Sequence, residues 1–137
     1  MTIARTILPE PCTVLLVEDY YANILVATTL LEQYGYTVDI AKSGFEALDK
    51  FRENRYSAIL MDVQMQEMDG LETTRRIREQ EATLTLPRTP IIAMTAHVLD
   101  QHRRGCIEAG MDDFLPKPYK PQMLQEVLAR HTTALAS

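Results

Sequence analysis

Three carboxylates, a hydroxyl and an amine stand out in this 137-residue chain because each directly follows or closes a short apolar run. Glu18 and Asp19 follow CTVLLV, Asp62 closes AILMD, Thr95 closes IIAMT, and Lys117 follows DDFLP inside PKP. A carboxylate at the exit of an apolar segment is half desolvated, so it requires a partner, a metal ion or a chemical task. Alone, Asp62 also reads as the cap of the turn that follows it. Together the acids pose a charge problem, since carboxylates brought close repel and at least one pKa rises unless a cation relieves them. A hard divalent ion with oxygen ligands does this. Mg²⁺ characteristically takes one or two carboxylates, a carbonyl and waters, and the backbone carbonyl of Gln64 lies two residues past Asp62. With Lys117 as a second positive charge, Asp62 becomes an ionised oxygen nucleophile suited to accept a phosphoryl group, and Thr95 can donate its hydroxyl to a phosphoryl oxygen.

Such convergence needs strands that end on one edge, and the apolar pattern supplies them. Residues 12–17, 36–41, 57–61, 91–95 and 112–116 read as short strands. Between them lie helical patterns. The first runs from about Ala22, with Ala27, Leu30, Leu31 and Tyr34 on one face and Gly35 as its stop. The second has Ser43 and Glu46 at capping-box spacing and Ala47, Leu48 and Phe51 inside. The third passes through Leu71, Thr74 and Ile77, and residues 81–90 read as a loop. The fourth spans about Val98 to Ala109, polar, interrupted by Gly105, with Leu99, Cys106 and Ile107 as inner residues; a glycine there costs about 1 kcal/mol, which reads either as a weakly anchored, movable helix or as ordinary helix variation. Pro121 opens the last, whose inner stripe holds Leu124, Val127 and Leu128. Met61, Met94 and Met123 read as core packing. Alternating strands and helices predict a doubly wound α/β sandwich around a parallel sheet, with helices on both faces and ligands beyond the carboxyl ends of the strands.

Composition narrows the function. The chain is 46% hydrophobic and 24% charged, with a formal charge of −5, so no basic surface points to direct nucleic-acid binding. Its apolar runs are strand-sized, which argues against membrane insertion, and Pro9 and Pro11 interrupt any signal-peptide core. Cys12 and Cys106 have no metal-ligand spacing and read as reduced thiols of a cytoplasmic protein. Residues 1–10 are expected to be a loose lead-in, 11–132 the domain and 133–137 a tail.

The stretches VLLVED, LMDVQMQEMDG, IIAMTA and DDFLPKP resemble, in order and spacing, the receiver domain of two-component response regulators over residues 12–130. The likeness is strongest to receivers of hybrid sensor histidine kinases and phosphorelays. It implies a flavodoxin-like five-stranded sheet of order 2-1-3-4-5, with Asp62 as phosphoacceptor. It further implies Mg²⁺ at Glu18, Asp19, Asp62 and the Gln64 carbonyl, phosphoryl contacts from Thr95 and Lys117, and a switch formed by Thr95 and Phe114. The implied donor is a histidine kinase or histidine phosphotransfer domain, with an output or downstream domain as a further partner. The implied chemistry is limited to the domain's own phosphorylation and dephosphorylation. Two positions depart from the family pattern: Gln66 replaces a usual proline, and Phe114 stands where many receivers have tyrosine.

Other readings fit less well. A phosphatase of the haloacid dehalogenase type wants a second aspartate where Gln64 stands and a cap domain the sequence does not carry. A flavin binder wants a Ser/Thr/Gly-rich phosphate loop where EDYYAN would repel phosphate. A receiver working without phosphorylation would not need the full set of reactive groups. His97 falls at the site mouth, His102 and His131 read as surface residues, and of Tyr20 and Tyr21 one is expected to pack and the other to face a partner.

Overall fold

The computed structural model describes residues 12–96 and 99–132; the expected lead-in and tail, and His97, lie outside them. Five strands alternate with five helices: β1 Thr13–Val17, α1 Tyr21–Gln33, β2 Thr37–Ala41, α2 Gly44–Glu53, β3 Ala58–Asp62, α3 Gly70–Leu84, β4 Ile91–Thr95, α4 Asp100–Ala109, β5 Asp113–Pro116 and α5 Pro121–Thr132. All strand pairs are parallel, in the order β2-β1-β3-β4-β5. Side-chain alternation divides each inner strand between two cores. Val14, Leu16, Leu60, Ile92, Met94 and Leu115 face α1 and α5. Leu15, Val17, Ile59, Met61, Ile91 and Ala93 face α2, α3 and α4. A sheet covered on both faces explains why β3 and β4 are apolar at nearly every position.

Local chemistry fixes the helix starts. Ser43 Oγ accepts the Glu46 N–H at 3.0 Å, as the expected capping box requires, while the Glu46 carboxylate accepts the Lys42 N–H at 2.6 Å, one residue before the cap. Asp69 caps α3 by accepting the Glu72 N–H at 2.9 Å. Gly70, the first residue of α3, lies against the end of β3: a β-carbon there would sit 2.3 Å from the Asp62 carbonyl oxygen. That contact is with backbone, so it cannot be relieved by a side-chain rotation. Gly70→Ala is expected to cost about 2 kcal/mol or more in urea unfolding, in the range of overpacking changes, and to disturb the Asp62 loop.

The structure corrects several expectations. Residues 81–90 are not all loop: α3 continues to Leu84, and Glu81 is buried. Helix α4 begins at Asp100 rather than about Val98. Leu99 and Ile107 are exposed, so the apolar anchoring of α4 comes from Cys106 and Ala109 near its C-terminus. A four-residue period leaves too few apolar positions on this polar helix to decide its inner face. His131 is not a free surface residue, because its Nε2 lies 2.9 Å from Asp113 Oδ2. Tyr20 and Tyr21 are both exposed.

Candidate functional site

The carboxyl ends of β1, β3, β4 and β5 bring the predicted residues together. Asp62 is the last residue of β3 and is 4% exposed; Glu18, one residue past β1, is 1% exposed. Lys117 follows β5, and its backbone N–H donates to the Thr95 carbonyl at 2.8 Å, which sets the amine at the rim. Its Nζ reaches Glu18 Oε1 at 3.1 Å and Asp62 Oδ1 at 3.3 Å. Asp62 Oδ1 also accepts the Gln64 N–H at 3.2 Å. Glu18 Oε2 accepts the Tyr20 N–H at 3.2 Å and the Asn23 amide at 3.5 Å. Asp19 is exposed, and one carboxylate oxygen from each of Glu18, Asp19 and Asp62 lies within 4.8 Å of the others.

Three carboxylates against one ammonium leave two negative charges in a site whose inner members are shielded from water. Burial, and then the neighbouring Glu18 carboxylate, push the Asp62 carboxyl up to about 6, against the opposing pull of Lys117. The native state therefore binds more protons than the unfolded chain between about pH 4 and pH 6. Stability falls as pH rises through that window, and the cost persists above it. In EDTA at pH 7–8, Asp62→Asn is expected to be about 2 kcal/mol more stable than the parent, less at pH 4, in paired urea titrations; solvent screening keeps the figure below the full shift. Equal stability of the two proteins across that range would show that the charge cluster carries no strain.

An all-oxygen donor set with two excess negative charges fits a hard divalent cation and not a soft metal. Beside the cluster an open hollow of about 620 Å³ is lined by Asp19, Gln64, Gln66, Asp69 and His102. On the α1 side a mostly apolar cleft of about 360 Å³ runs from Glu18 and Lys117 past Val26, Met94 and Tyr119.

The family model for the response regulator receiver domain matches residues 14–129. This chain belongs to that family. The receiver is 39% identical over 119 residues to the sensor protein GacS of Pseudomonas syringae pv. syringae, covering 87% of this chain and 13% of that protein. It is 37% identical over 124 residues to the aerobic respiration control sensor protein ArcB of Escherichia coli, covering 90% and 16%. It thus spans a small part of the curated relatives it matches. Among solved structures, the receiver domain of sensor histidine kinase PA1611 from Pseudomonas aeruginosa PAO1 is 42% identical with a TM-score of 0.79, covering 88% of this chain and 96% of that one. That structure carries a magnesium ion coordinated in its active-site cleft. The receiver domain of Saccharomyces cerevisiae Ssk1, co-crystallised with the histidine phosphotransfer protein Ypd1, is 26% identical with a TM-score of 0.86 and 92% coverage of both chains.

The receiver's sheet also sets the relation of Thr95 to Phe114. Ala93 is the β4 neighbour of Phe114, and Thr95 lies two residues beyond Ala93, so hydroxyl and ring share the face covered by α4. Sequence reasoning missed Arg103, whose guanidinium carbon lies 4.6 Å from the Phe114 ring centroid. It also missed Asn23 and Tyr119 in the cleft wall. No local spacing signals such contacts, which depend on how α1, α4 and the loop after β5 meet the rim.

Proposed function

We propose that this receiver is a phosphorylation-dependent signalling switch that accepts a phosphoryl group on Asp62 from a phosphohistidine of a kinase or phosphotransfer domain. The observation that carries the reading is the placement of Asp62, its carboxyl pushed up to about 6 and hydrogen-bonded to Lys117, beside two further carboxylates at the strand ends. In the transfer a carboxylate oxygen of Asp62 forms a bond to phosphorus as the P–N bond to the donor imidazole breaks. The bonding pair stays on the imidazole nitrogen, which takes a proton from solvent. At pH 7 roughly a tenth of Asp62 is protonated, so the nucleophile is available. Glu18, Asp19, Asp62 and the Gln64 carbonyl would hold Mg²⁺, which supplies positive charge opposite the phosphoryl oxygens. Lys117 neutralises the same group from the other side, and the Thr95 hydroxyl donates to one of its oxygens. Drawing Thr95 toward the phosphoryl group frees space on the face it shares with Phe114, and this couples the site to α4.

The donor must cross Tyr20, Tyr21, Leu25 and Val26, apolar side chains exposed beside the acidic pair and along the cleft that contains Glu18 and Lys117. A helix carrying the phosphohistidine would cover them, as an exposed apolar patch next to a reactive group requires. Among the described residues no helix is long and apolar enough to cross a membrane. We place the domain on the cytoplasmic side, with an output or downstream domain as its further partner and no direct contact with nucleic acid.

Mixed with a phosphorylated histidine phosphotransfer domain and Mg²⁺, the receiver is expected to gain one phosphoryl group by intact mass. EDTA should suppress the transfer, and Asp19→Asn should weaken the Mg²⁺-dependent rise in melting temperature that ligand linkage produces. Transfer that proceeds equally well in EDTA would remove the metal from the reading, and no transfer from any phosphohistidine donor would overturn the function.

A further inference from the structure

Helix α4 is held to the body unevenly. Residues 100–104 at its start are all exposed, and its buried residues are Cys106 and Ala109. Gly105 is not there for close packing, because the nearest atom to an added β-carbon would be Leu71 Cδ1 at 4.0 Å. At the C-terminal end, by contrast, the Gly110 carbonyl accepts Arg78 Nε at 3.0 Å and Nη2 at 2.7 Å. The start of α4 does make one specific contact with β5: Arg103 lies over the half-buried Phe114 ring. A guanidinium within about 6 Å of a ring centroid is attracted by the negative face of the aromatic quadrupole. A phenylalanine lacks the hydroxyl with which a tyrosine would anchor itself, so its face is the part it has to offer a polar partner.

We propose that Arg103 is a positioning residue for the switch: its guanidinium, on the face of Phe114, ties the start of α4 to β5, so that ring and helix move together. The proposal rests on the reading of Thr95 and Phe114 as a coupled pair, but it concerns the unphosphorylated domain and is measurable there. While the contact holds, Phe114 cannot move along the sheet toward Thr95 without carrying Arg103 and the start of α4 with it. The device replaces a side-chain hydrogen bond by a contact between two elements, and the helix it pulls is anchored at its far end by Arg78. Motion is therefore greatest at Asp100–Arg103 and least at Gly110.

Nuclear magnetic resonance on the unphosphorylated domain tests this directly. The Arg103 Hε resonance should be displaced upfield by the Phe114 ring current, and the displacement should vanish in Phe114→Leu. Relaxation dispersion over residues 99–116 reads the population of the alternative state. Arg103→Gln should change that population roughly 2- to 5-fold, the scale of an exposed cation–π contact, and Arg103→Lys should restore part of the change. In the Phe114→Leu background Arg103→Gln should have no further effect, which separates coupling from a general loosening of α4. By linkage, the same factor should appear in the affinity for beryllofluoride with Mg²⁺. An unchanged population in Arg103→Gln, or an equal change in the Phe114→Leu background, overturns the proposal. If beryllofluoride leaves Phe114 unmoved in the parent protein, the coupled-pair reading fails instead, and the comparisons without beryllofluoride still decide whether Arg103 holds the ring.

Discussion

Asp62→Ala is expected to abolish phosphoryl acceptance completely, leaving no adduct by intact mass with acetyl phosphate or with beryllofluoride and Mg²⁺. The neighbouring acids cannot take over. Glu18 is almost fully buried, and its two oxygens are engaged by Lys117, the Tyr20 N–H and the Asn23 amide. Asp19 is exposed, and among the described residues the ion pairs of Lys117 go to Glu18 and Asp62. A phosphoryl group on Asp19 would therefore form without the amine that neutralises it. Asp62→Asn is the stricter control, since it keeps the shape of the side chain and removes the nucleophile; it too should give no adduct. The two variants differ in a second respect: the asparagine relieves the charge cluster without opening a cavity, so it should melt higher than the alanine. An adduct persisting in both at more than roughly a tenth of the parent level would place the acceptor on another residue. The size of the expected loss follows from the role, because removing a nucleophile eliminates the covalent step and does not merely slow it.

Much of this site was legible in the sequence because each reactive residue ends or directly follows a strand. Strand period and apolar runs locate strand ends, and in a parallel sheet strand ends share an edge. Glu18, Asp19, Asp62, Thr95 and Lys117 could thus be brought together before any contact was known. The strand order needed the resemblance, since alternation alone does not say which strands are neighbours. What failed was information carried by contacts between helices and loops. Glu81 opens the stretch that reads as a loop, yet it lies within α3 and is buried against Arg78 and the Thr89 N–H. Leu99 and Ile107 are apolar and read as inner residues, yet they are exposed, because the face of α4 that meets the body is set by Cys106, Ala109 and the glycine turn after them. Side-chain polarity predicts burial only on average, and a guanidinium that satisfies several carbonyls and carboxylates reverses it locally.

That guanidinium supports the second large effect: Arg78→Ala is expected to destabilise the receiver by about 3–5 kcal/mol in urea unfolding, with phosphoryl acceptance retained in the folded fraction. Arg78, on α3, donates to both oxygens of Glu81 at 2.9 and 3.1 Å, to the Thr89 carbonyl at 2.9 Å, twice to the Gly110 carbonyl, and to Asp112 Oδ2 at 2.8 Å. It therefore joins α3 to the segment entering β4, the end of α4 and the segment entering β5. Its side chain is 14% exposed and that of Glu81 8%, so water cannot readily replace the lost donors. Gly110 belongs to the same arrangement: its φ of 112° is left-handed, and an added β-carbon would lie 2.9 Å from Arg78 Cγ. Removing the guanidinium leaves the buried Glu81 carboxylate, among the described residues, with the Thr89 N–H at 2.7 Å as its remaining donor. Asp112 suffers less, because Arg88 donates to its other oxygen at 2.8 Å and the Ile91 N–H donates to Oδ2. Adding Glu81→Gln to Arg78→Ala should then recover part of the loss, since the amide oxygen still accepts the Thr89 N–H without a buried charge. Recovery would be incomplete, because the Thr89 carbonyl still lacks the Arg78 donor and the Gly110 carbonyl keeps Arg88 Nη2 at 3.0 Å but not the two Arg78 bonds. All of these contacts lie at the amino ends of β4 and β5, the edge opposite Asp62, so stability and chemistry should separate. A loss below about 1 kcal/mol in Arg78→Ala would mean that solvent substitutes for the guanidinium and that Cys106, Ala109 and the Arg88 bond to the Gly110 carbonyl are enough to hold the end of α4.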